Sequence, residues 1–409
     1  MRKKRMLAAL DIGTAKLCAV ASGGFREEDG AIEIAGAVIR QAGGFKGGVV
    51  VDLARASDGI SNIMSELSDE VGAKLDVITV GLGCRQVASL DLQVAGRVES
   101  ANGQITKKDA DALFNILQTR DIPLDRKPIH ILLKDFIIDG QEGIKEPVGM
   151  YGSRIEMKSQ VITASRNLTQ NLIKAIDLAG LSVDDIVMSI IADSKIVLTG
   201  EERESVTALI NIGGDVTEIG IFQRDLLRYF DSVPSGGMPL TEAISRHFKI
   251  PFKEAEDIKV NHAGLYYEQD KGADLMINED GTRRRLISRL ELNSVLNENV
   301  KSILSSVKLS LAKSGMTDEL SSNIVMTGGS AIMDGLIERA EDIIGMPVRL
   351  GLPRNVACRR SEVINPAYST AIGLLKYTME ERERRRSEAS AGKLNSLALR
   401  LKNMVRDYF

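Results

Sequence analysis

The sequence predicts an α/β protein built from two similar β-sheet lobes. Its 409 residues repeat one pattern about two hundred residues apart, which is the signature of a duplicated unit. Each copy has an apolar strand, then Asp or Asn, Ile and Gly, a short polar turn, and a second apolar strand. The turns lie at residues 11–14 and 211–215. Strands alternate with helical patterns elsewhere in the chain, which also favours the α/β class.

Hydrophobic periodicity predicts where the other elements lie. A third glycine turn, at residues 326–330, follows an apolar run and precedes a helical pattern over 331–344. Residues 84–164, with short strands and a glycine-rich stretch, are predicted to form an inserted subdomain. Further helices are expected over 54–71, 110–117, 168–179, 253–261 and 290–314, and strands over 6–10, 17–21, 77–80, 129–133, 160–163, 208–210, 218–222 and 323–325.

The composition limits the classes of function. The chain is 44% hydrophobic and 27% charged, as in ordinary globular proteins, and its net charge of -3 gives no argument for nucleic-acid binding. Three scattered cysteines do not suffice for a disulfide framework or a zinc site, so a reducing, cytoplasmic setting is expected. No apolar stretch reaches the length of a membrane span, and the start does not resemble a signal peptide. Any membrane contact is therefore expected at the surface.

The turn of the first copy carries groups that suit a phosphate. A glycine-centred turn leaves backbone N–H groups pointing outward, towards an anion. Gly13 allows close approach, Thr14 offers a hydroxyl, and Lys16 can counter phosphate charge. Asp11 at the strand end can hold Mg²⁺ through water. One such turn alone would favour an ordinary hairpin, but two matching turns favour a nucleoside triphosphate held between the lobes.

The second and third turns add further candidates. Gly213 and Gly214 repeat the first turn, and Asp215 adds a carboxylate that is the second candidate for Mg²⁺. Gly328 and Gly329 can admit adenine or ribose against the backbone, or they form a plain βα loop.

A helical segment adds two more candidates. Glu256 and Lys259 lie three residues apart on one helix face, from which both can reach a ribose. A solvated helix face is the alternative. No arrangement of Ser, Cys and His supports nucleophilic catalysis, and the catalytic residues are unknown.

The last residues, 393–409, predict a basic amphipathic helix beyond a charged and polar linker at 381–392. Such a helix suits an anchor at an anionic membrane surface, and a helix docked on the core or on a partner protein is the alternative. The predicted membrane-binding residues are apolar or basic: Leu394, Leu397, Leu401, Met404, Val405, Tyr408 and Phe409, with Arg400, Lys402 and Arg406.

These motifs resemble those of the actin/Hsp70/sugar-kinase superfamily and, within it, the FtsA family of bacterial cell-division proteins, over residues 7–409. The turns at 11–14 and 211–215 match the superfamily's two phosphate motifs, and Thr327-Gly328-Gly329-Ser330 matches its adenosine motif. Residues 138–144 (Ile-Asp-Gly-Gln-Glu-Gly-Ile), 255–259 and 366–374 resemble FtsA in particular, as does the C-terminal segment.

The resemblance implies an actin-like two-lobed ATPase fold with an inserted 1C subdomain in place of actin's 1B, plus a C-terminal amphipathic helix. The implied subdomains are 1A at 1–83, with 165–192 and about 358–380; 1C at 84–164; 2A at 193–237, with 317–357; 2B at 238–316; the linker at 381–392; and the membrane helix at 393–409.

The resemblance also implies ligands and partners. It implies ATP with Mg²⁺ in the cleft, Ser330 in the adenosine motif, and Glu256 and Lys259 near the ribose and adenine. It further implies head-to-tail filaments on the cytoplasmic side of the membrane at the division site. Subdomain 2B would bind the tail of the tubulin-like protein FtsZ, and 1C would bind later division proteins. A basic helical face of 2B that includes 283–285 and Arg289 is a candidate surface for the tail, and ordinary solvated surface is the alternative.

One position departs from the family pattern. The second phosphate motif usually begins with Asp, whereas this chain has Asn211. An amide keeps an acceptor oxygen but loses the charge that helps to hold Mg²⁺ or orient water. We therefore expect ATP binding with slow or negligible hydrolysis. A PilM-like pilus-assembly ATPase is the main alternative, while a small-molecule kinase would need a sugar-binding loop and a base that the sequence does not display.

Overall fold

The computed structural model describes residues 6–26, 28–83, 87–119, 122–265, 274–279, 283–320 and 324–391. Numbered in chain order, the strands are β1 (Leu7–Ile12), β2 (Lys16–Phe25), β3 (Ile32–Gln41), β4 (Phe45–Lys46), β5 (Val49–Val50), β6 (Val77–Leu82), β7 (Ala88–Arg97), β8 (Arg126–Ile138), β9 (Gln141–Ile144), β10 (Arg154–Ser165), β11 (Ser182–Met188), β12 (Thr207–Ile212), β13 (Thr217–Gln223), β14 (Leu226–Val233), β15 (Leu275–Glu279), β16 (Arg283–Ile287), β17 (Ile324–Thr327), β18 (Val348–Leu350) and β19 (Val356–Cys358). The helices are α1 (Leu53–Val71), α2 (Lys107–Thr119), α3 (Arg166–Leu178), α4 (Ser189–Val197), α5 (Gly200–Glu204), α6 (Gly237–Phe248), α7 (Phe252–His262), α8 (Arg289–Lys313), α9 (Leu336–Ile344) and α10 (Ser369–Ala391).

The two lobes contain sheets of the same construction. In the first sheet, ordered β11-β6-β1-β2-β3-β19, β1 pairs antiparallel with β2 and parallel with β6. In the second, ordered β14-β13-β12-β17-β18, β12 pairs antiparallel with β13 and parallel with β17. The last pairs of the two hairpins, Ile12 with Leu17 and Ile212 with Thr217, occupy the same place beside each turn. The duplicated unit seen in the sequence is therefore a duplicated hairpin beside a parallel strand.

Each lobe is built around an apolar core, and the core of the first lobe also includes Leu209 of β12 and Val325 of β17 from the second sheet. In the first, β1 and β2 are buried because they are rich in Ala, Leu and Val, and they share this core with α1, α3 and α10. In the second, β12 and β13 pack with α6, α7, α8 and α9. Strands that are apolar on both faces are typical of sheets covered by helices. The two turns predicted to bind phosphate, at residues 11–14 and 211–215 and called the phosphate turns below, lie where these buried strands end.

A third sheet, ordered β7-β10-β8-β9, lies within the segment predicted to be inserted. It packs with α2 around a separate apolar core. Between β8 and β9, Asp139 and Gly140 both have positive φ, of 47° and 88°, which is the geometry of a two-residue type I′ hairpin. The Asp139 carboxylate accepts hydrogen bonds from the backbone N–H groups of Ser153 and Arg154. The Asp-Gly-Gln-Glu-Gly stretch is therefore a hairpin turn tied to β10.

The structure differs from the sequence-based expectations at several elements. The helix expected over 331–344 begins only at Leu336, because Gly335 has a φ of 77° and interrupts any earlier helix. Helices α4 and α6 were not predicted. The linker expected at 381–392 is helical as far as Ala391, since Glu and Arg are good helix formers and Arg384 pairs with Glu381.

The predicted amphipathic helix at 393–409 lies outside the described residues. Within the described ranges, no helix is both long enough and apolar enough to cross a membrane.

Candidate nucleotide-binding site

One cavity of about 490 Å³ lies between the two phosphate turns. Its volume falls within the usual range for small-molecule sites. Its lining includes every residue that the sequence singled out for nucleotide binding: Asp11, Gly13, Thr14, Lys16, Asn211, Gly213, Gly214, Asp215, Glu256, Lys259, Gly328, Gly329 and Ser330. Residues separated by more than three hundred positions in the chain thus share one site.

The two phosphate turns have the same local geometry. The Gly13 N–H donates to the carbonyl of Lys16 at 2.9 Å, and the Gly213 N–H donates to the carbonyl of Val216 at 3.0 Å. In both turns, therefore, the N–H of the first residue donates to the carbonyl of the fourth, which is the opposite direction to the bond that defines a β-turn. Gly214 lies close to Ala15 of the opposite turn, since a Cβ built on it would be 3.2 Å from the Ala15 Cβ.

The third turn lies directly against the second. The Ser330 N–H donates to the Ile212 carbonyl at 3.2 Å, and the Ser330 hydroxyl donates to the Gly213 carbonyl at 3.1 Å. Gly328 has a φ of 95°, and a Cβ there would lie 2.3 Å from the Asn211 Oδ1. Only glycine combines this conformation with so close an approach.

Lys16 connects the first turn with other parts of the cleft. Its ammonium group donates to the carbonyl of Ala367, just before α10. A Cβ built on Gly329 would lie 3.7 Å from the same Nζ atom. The positive charge predicted to counter phosphate therefore faces the third turn across the cavity.

Lys259 holds two helices together at the edge of the cavity. Its ammonium group donates to the Gly237 carbonyl at 3.0 Å, the Thr241 hydroxyl at 2.8 Å and the Glu256 carboxylate at 2.7 Å. These three bonds match the three N–H donors of a lysine, and its side chain is only 10% exposed. Lys259 thus braces α7 against the start of α6, while Glu256, at 30% exposure, remains more accessible.

The hairpin of β4 and β5 touches both phosphate turns. Its two loop residues, Gly47 and Gly48, have φ of 59° and 74°, which makes a type I′ turn. The Gly47 N–H donates to the Asp215 carboxylate at 2.9 Å, and the Gly48 N–H donates to the Thr14 hydroxyl at 3.1 Å. These two predicted ligand-contacting side chains therefore also join the lobes through the hairpin.

Buried carboxyl groups lie behind the second turn. Asp193 accepts from the Asn211 amide at 2.6 Å and from the Thr370 hydroxyl at 2.9 Å. Burial raises the pKa of Asp193 to about 7, against the effect of these two donors. Burial also raises the pKa of Asp11, opposed by Lys16.

Glu218 adds a third carboxyl group to this region. It is 4% exposed, and its Oε1 has no hydrogen-bond partner among the described residues. Burial, followed by the nearby charges of Asp193 and Asp11, raises its pKa well above the usual value. The described residues contain no group of three or more His, Cys, Asp or Glu side chains arranged to hold a metal ion.

Sequence reasoning missed several residues of this region. Asp193 follows directly on the apolar residues 190–192 of α4, and Glu218 interrupts a buried strand, so an acidic residue beside or within an apolar run was the available signal. Glu218 and Thr370 line the cavity together with Ser189, whereas Asp193 lies behind Asn211 and does not line it.

The chain is similar in sequence to known cell-division proteins. The family profile described as "Cell division protein FtsA" matches residues 208–373, and the profile described as "SHS2 domain inserted in FTSA" matches residues 88–163. The cell division protein FtsA of Pseudomonas aeruginosa is 34% identical over 379 residues, which cover 92% of this chain and 90% of that protein. The FtsA of Borreliella burgdorferi is 28% identical over 414 residues, covering 99% of this chain and 100% of that protein.

Solved structures agree with the fold. A chain of the PilM–PilN type IV pilus biogenesis complex has a TM-score of 0.65 at 18% identity, with 92% of this chain and 99% of that chain covered. MreB 5 of Spiroplasma citri bound to AMPPNP has a TM-score of 0.54 at 15% identity, with coverage of 94% and 99%. At such identities the likeness shows the fold alone. It confirms the actin-like fold class expected from the sequence, and the SHS2 match confirms the inserted domain.

Proposed function

Because the chain belongs to the FtsA family of cell-division proteins, we propose that it is an ATP-binding division protein whose nucleotide sets the shape of a membrane-bound subunit. In this proposal ATP occupies the cleft between the two phosphate turns. The protein polymerises on the cytoplasmic side of the membrane, anchors FtsZ filaments through 2B and recruits later division proteins through 1C.

The observation that carries the nucleotide proposal is the shared cavity. Its lining combines the residues of two glycine turns, Lys16, and the glycines Gly328 and Gly329 of the third turn. Turn amides and a lysine suit phosphate oxygens, and glycine backbone allows a base or ribose to approach. The MreB structure at a similar fold was solved with AMPPNP, which supports a nucleotide as the ligand.

The residues present also suit Mg²⁺ that is held mainly by the nucleotide. Mg²⁺ keeps several waters and usually needs only one or two carboxylates beside the phosphates. Asp11 lines the cavity and would supply such a carboxylate, with Asp215 as the second candidate. The bound ion would neutralise phosphate charge. With Asn211 at the second motif, we propose slow or negligible hydrolysis, and turnover above about one per second would contradict this.

A matched pair of glycine variants tests nucleotide binding. Gly329 lines the cavity, and a Cβ there would make ordinary contact with Lys16 at 3.7 Å, so Gly329→Ala should fold. Its methyl group would occupy space next to the phosphate-countering ammonium, and we expect affinity for ATP to fall by about tenfold. Gly200→Ala is the control, because a Cβ there meets nothing within 4 Å. Calorimetric titration with ATP and Mg²⁺ measures both, and wild-type protein that does not bind would refute the proposal.

The membrane proposal has a separate test. Full-length protein should co-sediment with anionic vesicles, and a truncation after Gly392 should not, since it lacks the basic and apolar residues of 393–409. Equal sedimentation of the truncated protein would contradict the anchor. Binding of an FtsZ tail peptide to the truncated protein then tests the FtsZ proposal without vesicles. A PilM-like pilus role is the remaining alternative, and it rests on the fold alone.

A further inference from the structure

The side chain of Asp193 connects three elements behind the cleft. It lies on α4 and is fully buried, with 0% exposure. Its Oδ2 accepts from the Asn211 amide at the end of β12, at 2.6 Å. Its Oδ1 accepts from the Thr370 hydroxyl in the first turn of α10, at 2.9 Å. Both oxygens therefore act as acceptors, each towards a different element.

This arrangement fixes the orientation of the Asn211 amide. The two ends of an Asn side chain differ only in hydrogen-bonding character, so its partners decide which end faces where. Because Nδ2 points at Asp193, Oδ1 lies on the side of Gly328, another residue of the cavity wall. An apolar or donor group at position 193 would remove this preference.

We propose that Asp193 is the positioning residue of the second phosphate motif. It directs the acceptor oxygen of Asn211 towards the cavity, where a water molecule or a cation held by the nucleotide can meet it, and the carboxyl group itself stays one side chain behind the cavity wall. A carboxylate at position 211 would add a negative charge facing the phosphates to those of Asp11 and Asp215, whereas an amide adds none. The inference rests on the proposed function, because it assumes that a nucleoside triphosphate occupies the cleft.

Reciprocal exchange of the two side chains tests the proposal. Asn211→Asp alone sets two carboxylates against each other, and Asp193→Asn alone leaves two amides without a fixed orientation. The double exchange, Asp193→Asn with Asn211→Asp, restores one donor and one acceptor but moves the carboxylate into the cavity wall. Asp109→Asn is the control, because Asp109 is also buried but accepts hydrogen bonds from Thr106 and Glu99 in the inserted subdomain.

Two measurements are needed, thermal unfolding without nucleotide and affinity for ATP with Mg²⁺ or with EDTA. We expect Asp193→Asn to bind Mg-ATP about tenfold more weakly, the usual scale for losing a hydrogen bond to a charged group. Asn211→Asp should unfold at a lower temperature, and the double exchange should recover most of that loss. For each protein, the affinity for ATP with Mg²⁺ is divided by the affinity for ATP with EDTA. This ratio should be at least tenfold larger for the double exchange than for wild type.

The outcomes separate the two proposals. Wild type that binds no ATP overturns the proposed function and this inference with it. Two results overturn this inference alone. One is that Asp193→Asn binds ATP as tightly as wild type. The other is that the double exchange lowers the unfolding temperature by as much as the two single variants together. If Asn211→Asp does not fold, the test uses Asp193→Asn and Thr370→Val. Both should weaken ATP binding, and Thr370→Val should do so less because the bond between Asp193 and Asn211 remains. The control Asp109→Asn should leave ATP binding unchanged. Equal affinity in all of these variants would refute the positioning role.

Discussion

The carboxylate of Asp215 accepts a hydrogen bond from the backbone N–H of Gly47, although the two residues belong to different lobes. Asp215 lies in the second phosphate turn, and Gly47 lies in a hairpin that follows β3 of the first sheet. The adjoining Gly48 bonds to Thr14 of the first turn. One tight hairpin thus spans the mouth between the two phosphate turns, and the Asp215 carboxylate binds it on the side of the second turn.

Replacing that carboxylate should loosen the hairpin. We expect Asp215→Ala to speed amide hydrogen exchange at residues 45–50 by roughly tenfold or more, because a charge-assisted bond contributes about 1.5–3 kcal/mol. Asp58→Ala, on an exposed part of α1, is the matched control. Exchange measured by mass spectrometry provides the readout, and unchanged protection of this segment would show that the bond does not hold the hairpin.

Two helix-interior glycines should respond in opposite directions to alanine. A Cβ on Gly373 of α10 would lie 2.1 Å from the Ala192 carbonyl of α4, so the two helices must separate. We expect Gly373→Ala to lower the free energy of unfolding by about 3 kcal/mol or more. Gly59→Ala on α1 meets only the Leu17 side chain at 3.4 Å and should be neutral or stabilising by up to about 1 kcal/mol. Equal effects in denaturant titrations would contradict this packing.

Arg349 and Glu202 form a two-pronged ion pair that a lysine cannot reproduce. Arg349 donates through Nε and Nη2 to the two carboxylate oxygens, each at 2.6 Å. Glu202 also caps α5 by accepting from the Thr199 N–H. We expect Arg349→Lys to cost about 1–2 kcal/mol in free energy of unfolding, whereas Arg354→Lys at an exposed site should cost less than about 0.5 kcal/mol. Urea titration compares the two, and equal losses would count against the fork geometry.

The raised pKa of Asp193 makes stability depend on pH. In the unfolded chain an Asp loses its proton near pH 4, whereas in the folded protein burial holds the pKa of Asp193 at about 7. Between these values the folded state binds the extra proton, so the contribution of Asp193 to stability should fall as pH rises from 4 to 7 and stay constant above that. Asp11 adds to the shift, while Asn211, Thr370 and Lys16 oppose it.

The Asp193→Asn variant lacks this titration. Its stability should fall less steeply than that of wild type over the same range, by about 2–4 kcal/mol in total. Glu218 and Asp11 titrate in both proteins, and in the variant Glu218 also lacks the Asp193 charge that raises its pKa, so the difference between the two curves reports Asp193 together with its effect on Glu218. Urea titrations at pH 5 and pH 8 give the change in free energy of unfolding for each protein. The same change in wild type and in Asp193→Asn would contradict the raised pKa.

The sequence sufficed for the parts of the site that backbone patterns encode. Glycines followed by polar residues after an apolar strand predict a turn, and all three such turns line the cavity. Side-chain partnerships across the fold were not accessible in this way. Lys259 donates hydrogen bonds to Gly237, Thr241 and Glu256 because of how α6 packs against α7. Local periodicity does not encode this packing.

Elements were missed where local and tertiary effects compete. The stretch that forms α4 is short and rich in β-branched residues, and its few polar residues show no clear helical period, so its pattern does not distinguish a buried helix from a strand. Its helical state depends on packing against α10, where Gly373 lets the backbones meet. Asp193 became visible as part of the site only once that packing was known.

Helix α10 sets a distance as well as a contact. It begins at Ser369, beside the Thr370 hydroxyl that bonds to Asp193, and its 23 residues span about 35 Å. The length of α10 therefore sets the distance between the cleft and the start of residues 392–409. Deleting residues 385–391 removes about two turns, and should bring the two ends closer by roughly 10 Å while nearly preserving their rotational phase. The spacing between a vesicle surface and the protein layer, measured by electron cryotomography, should shrink accordingly.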